Sequence, residues 1–147
     1  QNTIDSLQHR INVLQHINDS IIQRYQLFEV QPVRNMIDIM NAIMEVESNS
    51  NDSAYRADED AVGCLQIRKC MVDDVNRILK RQGSDFRYTY NDRWDENKSY
   101  EMFNIFCNYY GLETAEEMAR GWNGGPRGID KPATLGYWDK VLSELSS

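Results

Sequence analysis

Histidine and cysteine are scarce, with two and three copies in 147 residues. His9 and His16 lie one heptad apart on a polar face, and Cys64 and Cys70 have no partners at zinc-type spacing. No metal site is therefore expected. Three cysteines permit at most one internal disulfide. Cys70 with Cys107 is the candidate pair if the chain is exported, and the simpler reading is three small buried apolar groups. Basic residues are in the minority, 16 Lys and Arg against 23 Asp and Glu, for a net charge of −7. That balance argues against a partner read through its phosphates, so no nucleic acid is expected. It argues equally against docking on an anionic membrane surface. No apolar run approaches membrane-spanning length, so no membrane insertion is expected. Methionine is missing at position 1, which reads as a processed or trimmed chain. A removed secretory signal and a cut boundary explain Gln1 equally well.

What the sequence has in quantity is helical periodicity, and the fold class it implies is mainly α with at most a small β element. Residues 3–29 read as one long helix. Ile4, Leu7, Ile11, Leu14, Asn18, Ile21, Tyr25 and Phe28 alternate steps of three and four, an a/d seam with Asn18 at a polar a position. Val13, Ile17 and Ile22 add apolar surface outside that seam. The expectation is that this helix, residues 1–30, packs on a globular domain of residues 31–147 and that the chain is a monomer. The alternative is a coiled coil with another chain, where Asn18 would set the register.

Pro32 suits a first helical position and opens a second helix with the stripe Val33, Met36, Ile37, Met40, Ile43, Met44. Residues 48–61 form a polar loop. A third helix is expected over 68–82 with Met71, Val72, Val75, Ile78 and Leu79 inward and Gly83 as its stop. Residues 84–94 allow a short strand or turn. A fourth helix covers 96–110, with Met102, Phe103, Phe106 and Tyr110 inward. Thr114 with Glu117 forms a capping box for a fifth, which ends in the glycine-rich stretch 122–128. Thr134 caps a last helix, with Leu135, Trp138, Val141, Leu142 and Leu145 inward.

One residue breaks the pattern. The next member of the second helix's apolar stripe is Glu47, a carboxylate where the period calls for a core side chain. Burial disfavours its charged form, and the negative end of the helix dipole pushes the same way. A carboxyl kept protonated near neutral pH is what protonation of a glycosidic oxygen needs. The structural alternative is a buried glutamate paired with an arginine or a backbone donor.

Around it, four motifs occur in order: Glu47-Ser48-x-x-Asn51-x-x-Ala54, Gly63-x-x-Gln66-Ile67, Trp122-Asn123-Gly124-Gly125-Pro126 and Thr134-x-x-Tyr137. Over about residues 36–141 the set resembles the soluble lytic transglycosylase and goose-type lysozyme superfamily. Asp52, Cys64, Lys69 and Trp122 depart from that family's usual residues. The resemblance implies a lysozyme-like α domain acting on peptidoglycan glycan strands, in the periplasm, cell envelope or secreted, with a phage or mobile-element origin also open. By it Glu47 is the catalytic acid/base, and Ser48, Gly63, Gln66 and Ile67 line the glycan cleft. Asn123 and Gly124 form the opposite wall, and Tyr137 closes the site. Trp122 would be either a sugar platform or a core residue.

The expected reaction is lytic transglycosylation of the bond between N-acetylmuramic acid and N-acetylglucosamine, leaving 1,6-anhydro ends. That chemistry needs a single carboxylate and no metal or organic cofactor, and the acids of the 58–60 run sit on a loop without an apolar anchor. The rivals are a goose-type muramidase using Asp60 or Asp58 as a second carboxylate, and a non-catalytic glycan-binding or assembly protein.

Overall fold

A computed structural model describes residues 2–27 and 35–146. The chain is mainly α. Helices α1 (Asn2–Leu27) and α2 (Met36–Ser48) precede a two-stranded antiparallel hairpin, β1 (Tyr55–Arg56) and β2 (Ala61–Val62), with Tyr55 opposite Val62. Helices α3 (Lys69–Arg81), α4 (Glu96–Tyr109), α5 (Ala115–Gly124) and α6 (Leu135–Ser146) follow, with a 3-10 turn at Tyr90–Trp94 and two more between α5 and α6. The β element therefore falls almost wholly in the stretch 48–61 expected to be a polar loop, with only Val62 beyond it, while residues 84–94 hold no strand.

Local chemistry explains the boundaries. The Asn35 side chain accepts the Asp38 N–H at 2.8 Å and caps α2. Pro32 and Val33 lie outside the described residues. Thr114 and Glu117 form the reciprocal capping box at α5, with both bonds at 3.1 Å. Gly83 and Gly111, at φ +78° and +67°, take the left-handed conformation that ends α3 and α4. Thr134 behaves differently from expectation. It is buried at the end of a 3-10 turn that runs into α6, and its hydroxyl accepts from Arg120 Nε at 2.7 Å instead of capping the helix.

The core is built from α2, α3, α4 and α5 around Met40, Ile43, Val72, Ile78, Met102, Phe103 and Met118, all fully buried. Helix α6 packs across α2 and α5 through Val141 and Leu145. Three residues expected inward face solvent: Ile37 on α2, and Leu135 and Leu142 on α6. Ile39 takes the inward place on α2 that Ile37 does not.

Helix α1 lies against α4 and the start of α2, but not through its a/d seam. Among its described side chains, those of residues 3–19, Val13 and Ile17 are buried and Ile4, Leu7, Ile11 and Leu14 are exposed; Ile21, Ile22, Tyr25 and Phe28 lie outside them. A polar cluster fixes the docking. Arg10 Nε donates to Glu101 Oε2 at 2.7 Å, and the Tyr88 hydroxyl donates to Glu101 Oε1 at 2.8 Å. Since that proton is committed, His9 Nε2 is the donor in its 3.1 Å contact with the Tyr88 oxygen. The His9 ring also stacks on Phe86 with centroids 4.3 Å apart.

Burial holds His9 below the ordinary imidazole value, with Glu101 opposing. A depressed histidine stabilises the fold in its neutral form, so its contribution is present above the unfolded pKa and fades as pH falls through it toward the folded one. We predict that lowering the pH from about 7.5 to about 5.5 reduces Tm more in the wild type than in His9→Gln, as read by thermal unfolding. Equal pH dependence in the two proteins would remove His9 from the docking contact.

Candidate active site

Glu47 occupies the last turn of α2, where Asn49 at φ 53° ends the helix. The next residue ties this end to the rest of the site. Ser48 Oγ lies 2.7 Å from the Cys64 carbonyl oxygen and 3.1 Å from that of Met44, and it accepts the Asn51 N–H at 3.1 Å. One hydroxyl thus joins the helix end, the loop that follows and the Gly63–Ile67 turn. Ser48 thereby positions the end of α2 against the turn.

The turn itself is braced from within. Gly63 N–H donates to the Ala54 carbonyl at 2.8 Å, and Val62 and Ile67 exchange backbone bonds at 3.1 and 3.0 Å. Gln66 is buried in a left-handed conformation, φ 50°, with Nε2 donating to the Gly63 carbonyl at 2.9 Å and to that of Ala54 at 3.3 Å. Its amide nitrogen is spent on the turn. Ile67 is fully buried and lines no surface. Trp122 belongs to the core as well, edge-on to Phe103 and Phe106, and its indole N–H donates to the Leu65 carbonyl at 3.2 Å. It holds the turn from below.

Arg93, which the sequence reading did not single out, is the other brace. Its buried guanidinium donates to the Asp60 carbonyl at 2.9 Å, the Ile67 carbonyl at 3.1 Å and the Tyr90 carbonyl at 2.8 Å. It also pairs with the Asp60 carboxylate at 3.3 Å, on which Lys69 approaches to 3.8 Å. Asp60 is therefore taken up in a structural ion pair. The Arg93 backbone also explains Gly63, since a Cβ there would sit 1.9 Å from the Arg93 carbonyl oxygen.

The second wall is built by close packing. Asn123 is exposed on the last turn of α5. A Cβ on Gly124 would meet Thr134 Cγ2 at 2.5 Å, and one on Gly128 would meet the Arg120 carbonyl oxygen at 1.9 Å. These glycines let the backbone after α5 fold tightly onto its own helix. Buried Arg120 finishes the job, reaching Thr134, the Lys131 carbonyl at 3.2 Å and Glu116 at 2.5 Å. The result fixes the start of α6, and with it Tyr137.

Electrostatics single out Glu47. Burial pushes its carboxyl above the ordinary value, and Tyr137, Arg56 and Arg68 pull it back. Glu59 adds to the rise by like-charge repulsion. The buried Tyr137 hydroxyl has no hydrogen bond of ordinary geometry, and Glu47 is the charge that bears on it. Of the acids expected nearby, Asp60 is held by Arg93, Asp58 is exposed in the hairpin turn, and Asp52 acts on Cys64 and Tyr100 instead. Glu59, beside Arg56 at 3.5 Å, is the one that acts on Glu47. Its position in an acidic run gave no sign that it, and not its neighbours, would do so. Exposed Tyr55 and Trp94, with ring centroids 6.2 Å apart, stand next to the same turn and offer the aromatic faces that Trp122 does not. Cys64 and Cys107 are buried and Cys70 is an exposed thiol, so the Cys70–Cys107 bridge is not made.

Invertebrate-type lysozyme 6 of Caenorhabditis elegans is 30% identical over 114 residues, 71% of this chain and 83% of that protein. The chain belongs to the invertebrate-type lysozyme family. Invertebrate-type lysozyme 2 of the same organism is 28% identical over 116 residues, 72% of this chain and 84% of that protein. A chain in the crystal structure of Aeromonas hydrophila PliI in complex with Meretrix lusoria lysozyme shares the fold, with a TM-score of 0.60 at 21% identity over 72% of this chain and 87% of that one. No family model matches the sequence.

Membership of the invertebrate-type lysozymes corrects the expectation from sequence. The resemblance was to lysozyme relatives, but the assignment to the soluble lytic transglycosylase and goose-type branch, and the lytic transglycosylase activity with it, are overturned by these relatives. The physical argument for a single carboxylate fails too. The 58–60 run was read as an unanchored loop, and it is the turn of a hairpin clamped by Arg93.

Gly63 gives a direct check on this architecture. At φ +82° with no room for a Cβ, Gly63→Ala incurs both left-handed strain and a backbone clash. The expected loss is at least ~2 kcal/mol of unfolding free energy, measured by denaturant titration. A change within ~0.5 kcal/mol would show that the turn is not held as described.

Proposed function

We propose that this chain hydrolyses the β-1,4 bond between N-acetylmuramic acid and N-acetylglucosamine in peptidoglycan, with Glu47 as general acid. The observation that carries the reading is the half-buried Glu47 carboxyl, raised above its ordinary value by burial at the end of α2, with Tyr137 on one side and the hairpin on the other. Kinship with the invertebrate-type lysozymes supports a glycoside hydrolase of that kind. In its protonated form Glu47 donates to the glycosidic oxygen as the bond breaks, and its proton is then restored from the attacking water or from solvent. Glu59 is the second carboxylate, assigned to stabilising the developing positive charge at the anomeric carbon or to steering water. Asn123, Tyr55 and Trp94 supply an amide for sugar hydroxyls and flat faces for the apolar sides of the rings.

Product chemistry tests this reading. Digestion of purified peptidoglycan in 18O-labelled water is expected to give reducing ends that carry one solvent oxygen. Glu47→Gln should lower kcat by ~10²–10⁴-fold with an unchanged Tm. Glu59→Gln should lower kcat as well, whereas Asp60→Asn should act mainly on stability. Binding of the glycan without turnover would leave a non-catalytic glycan-binding protein. Full activity in Glu47→Gln would refute the assignment of the acid.

A further inference from the structure

A second cavity opens between helix α1 and the C-terminal halves of α3 and α4, and it shares no residue with the site around Glu47. Its volume is about 320 Å³, within the usual span for small-ligand sites. Val13, Leu79 and Ile105, all buried, give it an apolar floor. Four carboxamides, Asn12, Gln82, Asn104 and Asn108, supply most of its polar lining. None of the described residues that line it is an Asp, Glu, Lys or Arg, in a chain where these make up 27% of the sequence. A charged ligand would find no opposite charge of those kinds to pair with, so the lining suits a neutral polar one.

Two of the amides are set as a pair. Asn104 and Asn108 stand one turn apart on α4, and Asn108 Nδ2 donates to Asn104 Oδ1 at 2.9 Å. Asn104 is only 1% exposed. Its Nδ2 has no hydrogen-bond partner among the described residues, and neither has Asn108 Oδ1. Turning both amides over exchanges the two roles and still leaves one N–H donor and one carbonyl oxygen unspent. A buried donor left unused costs stability unless a ligand or water takes it. Side by side, the unspent donor and acceptor are the complement of one secondary amide, whose oxygen would accept from Asn104 and whose N–H would donate to Asn108.

We propose that this cavity is a second glycan-binding site, which holds the acetamide group of an N-acetylhexosamine. The acetamide oxygen and nitrogen meet the Asn104–Asn108 pair, and its methyl group rests on Val13, Leu79 and Ile105. The ring hydroxyls, which both donate and accept, meet exposed Gln82 and Asn12 on the rim, whose amides do the same. A peptide main chain also carries secondary amides, but it brings no hydroxyls for that rim. The binding requires no turnover at Glu47. Its role rests on the reading of peptidoglycan as substrate: each sugar of that polymer carries an acetamide, and a site apart from the cleft keeps the chain on its polymer between cuts.

Titration of 15N-labelled protein, followed by the side-chain amide signals of Asn104 and Asn108, tests the proposal. The methyl β-glycoside of N-acetylglucosamine is expected to shift both signals saturably, in the wild type and equally in Glu47→Gln. Methyl β-glucoside, which lacks the acetamide, should leave them in place. Asn108→Leu is expected to weaken the sugar by about tenfold, read on the Asn104 signal, with near-UV circular dichroism unchanged. Gln82→Ala, exposed on the rim, should weaken it as well without touching the buried pair. Signals that do not move, that move equally with the glucoside, or that titrate as in the wild type in both variants would overturn the proposal. A stronger response to N-acetylalanine amide than to the sugar would give the cavity to a peptide and overturn it too.

Discussion

The buried guanidinium of Arg93 is the contact on which the candidate site depends. A cation taken out of water needs hydrogen-bond partners, and here Nη1 donates to backbone carbonyls at both ends of the 60–67 segment while Nε donates to the Tyr90 carbonyl. Strands of two residues each could not hold a hairpin in place by their own ladder. Arg93 supplies what the ladder lacks, and its carbonyl leaves no room beside Gly63 for any side chain. Ser48 then joins that turn to the end of α2, and Trp122 joins it to α5. Glu47 inherits its position from these three contacts.

The same logic explains why the motif residues are mostly scaffold. Gln66 Nε2 and Ser48 Oγ spend their hydrogen bonds on backbone geometry, Ile67 is buried in the core, and Gly124 makes room for Thr134. What they produce is a raised carboxyl between Tyr137 and Glu59. Motifs of this kind mark a shared architecture around an acid. They do not by themselves distinguish between reactions that all begin with protonation of a glycosidic oxygen, which is how the sequence came to suggest a transglycosylase.

Much of the fold was readable from residue order. Helices α3 and α5 follow their apolar stripes and caps, and Glu47 stood out because a carboxylate replaced a core residue in a regular series. The hairpin was not readable, because two-residue strands have no period to detect. Arg93 was missed because nothing in the run around Trp94 tells an inward guanidinium from a surface one. On α1 both the 4-7-11-14 series and the 6-9-13-17 series fit a helix, and only tertiary packing decides which meets the domain. Tyr88 and Glu101, far away in sequence, make that choice by capturing Arg10 and His9.

The central claim is that the fold holds Glu47 as a proton donor, and direct titration of that carboxyl tests it. With 13C-labelled glutamate, the Glu47 carboxyl signal can be assigned by its absence in Glu47→Gln and followed against pH. It should titrate above the ordinary glutamate value of 4.5, and higher still in Tyr137→Phe, where a group that favours the ionised form is lost. A pKa at or below the ordinary value, or one that does not move when Tyr137 is replaced, would contradict the account.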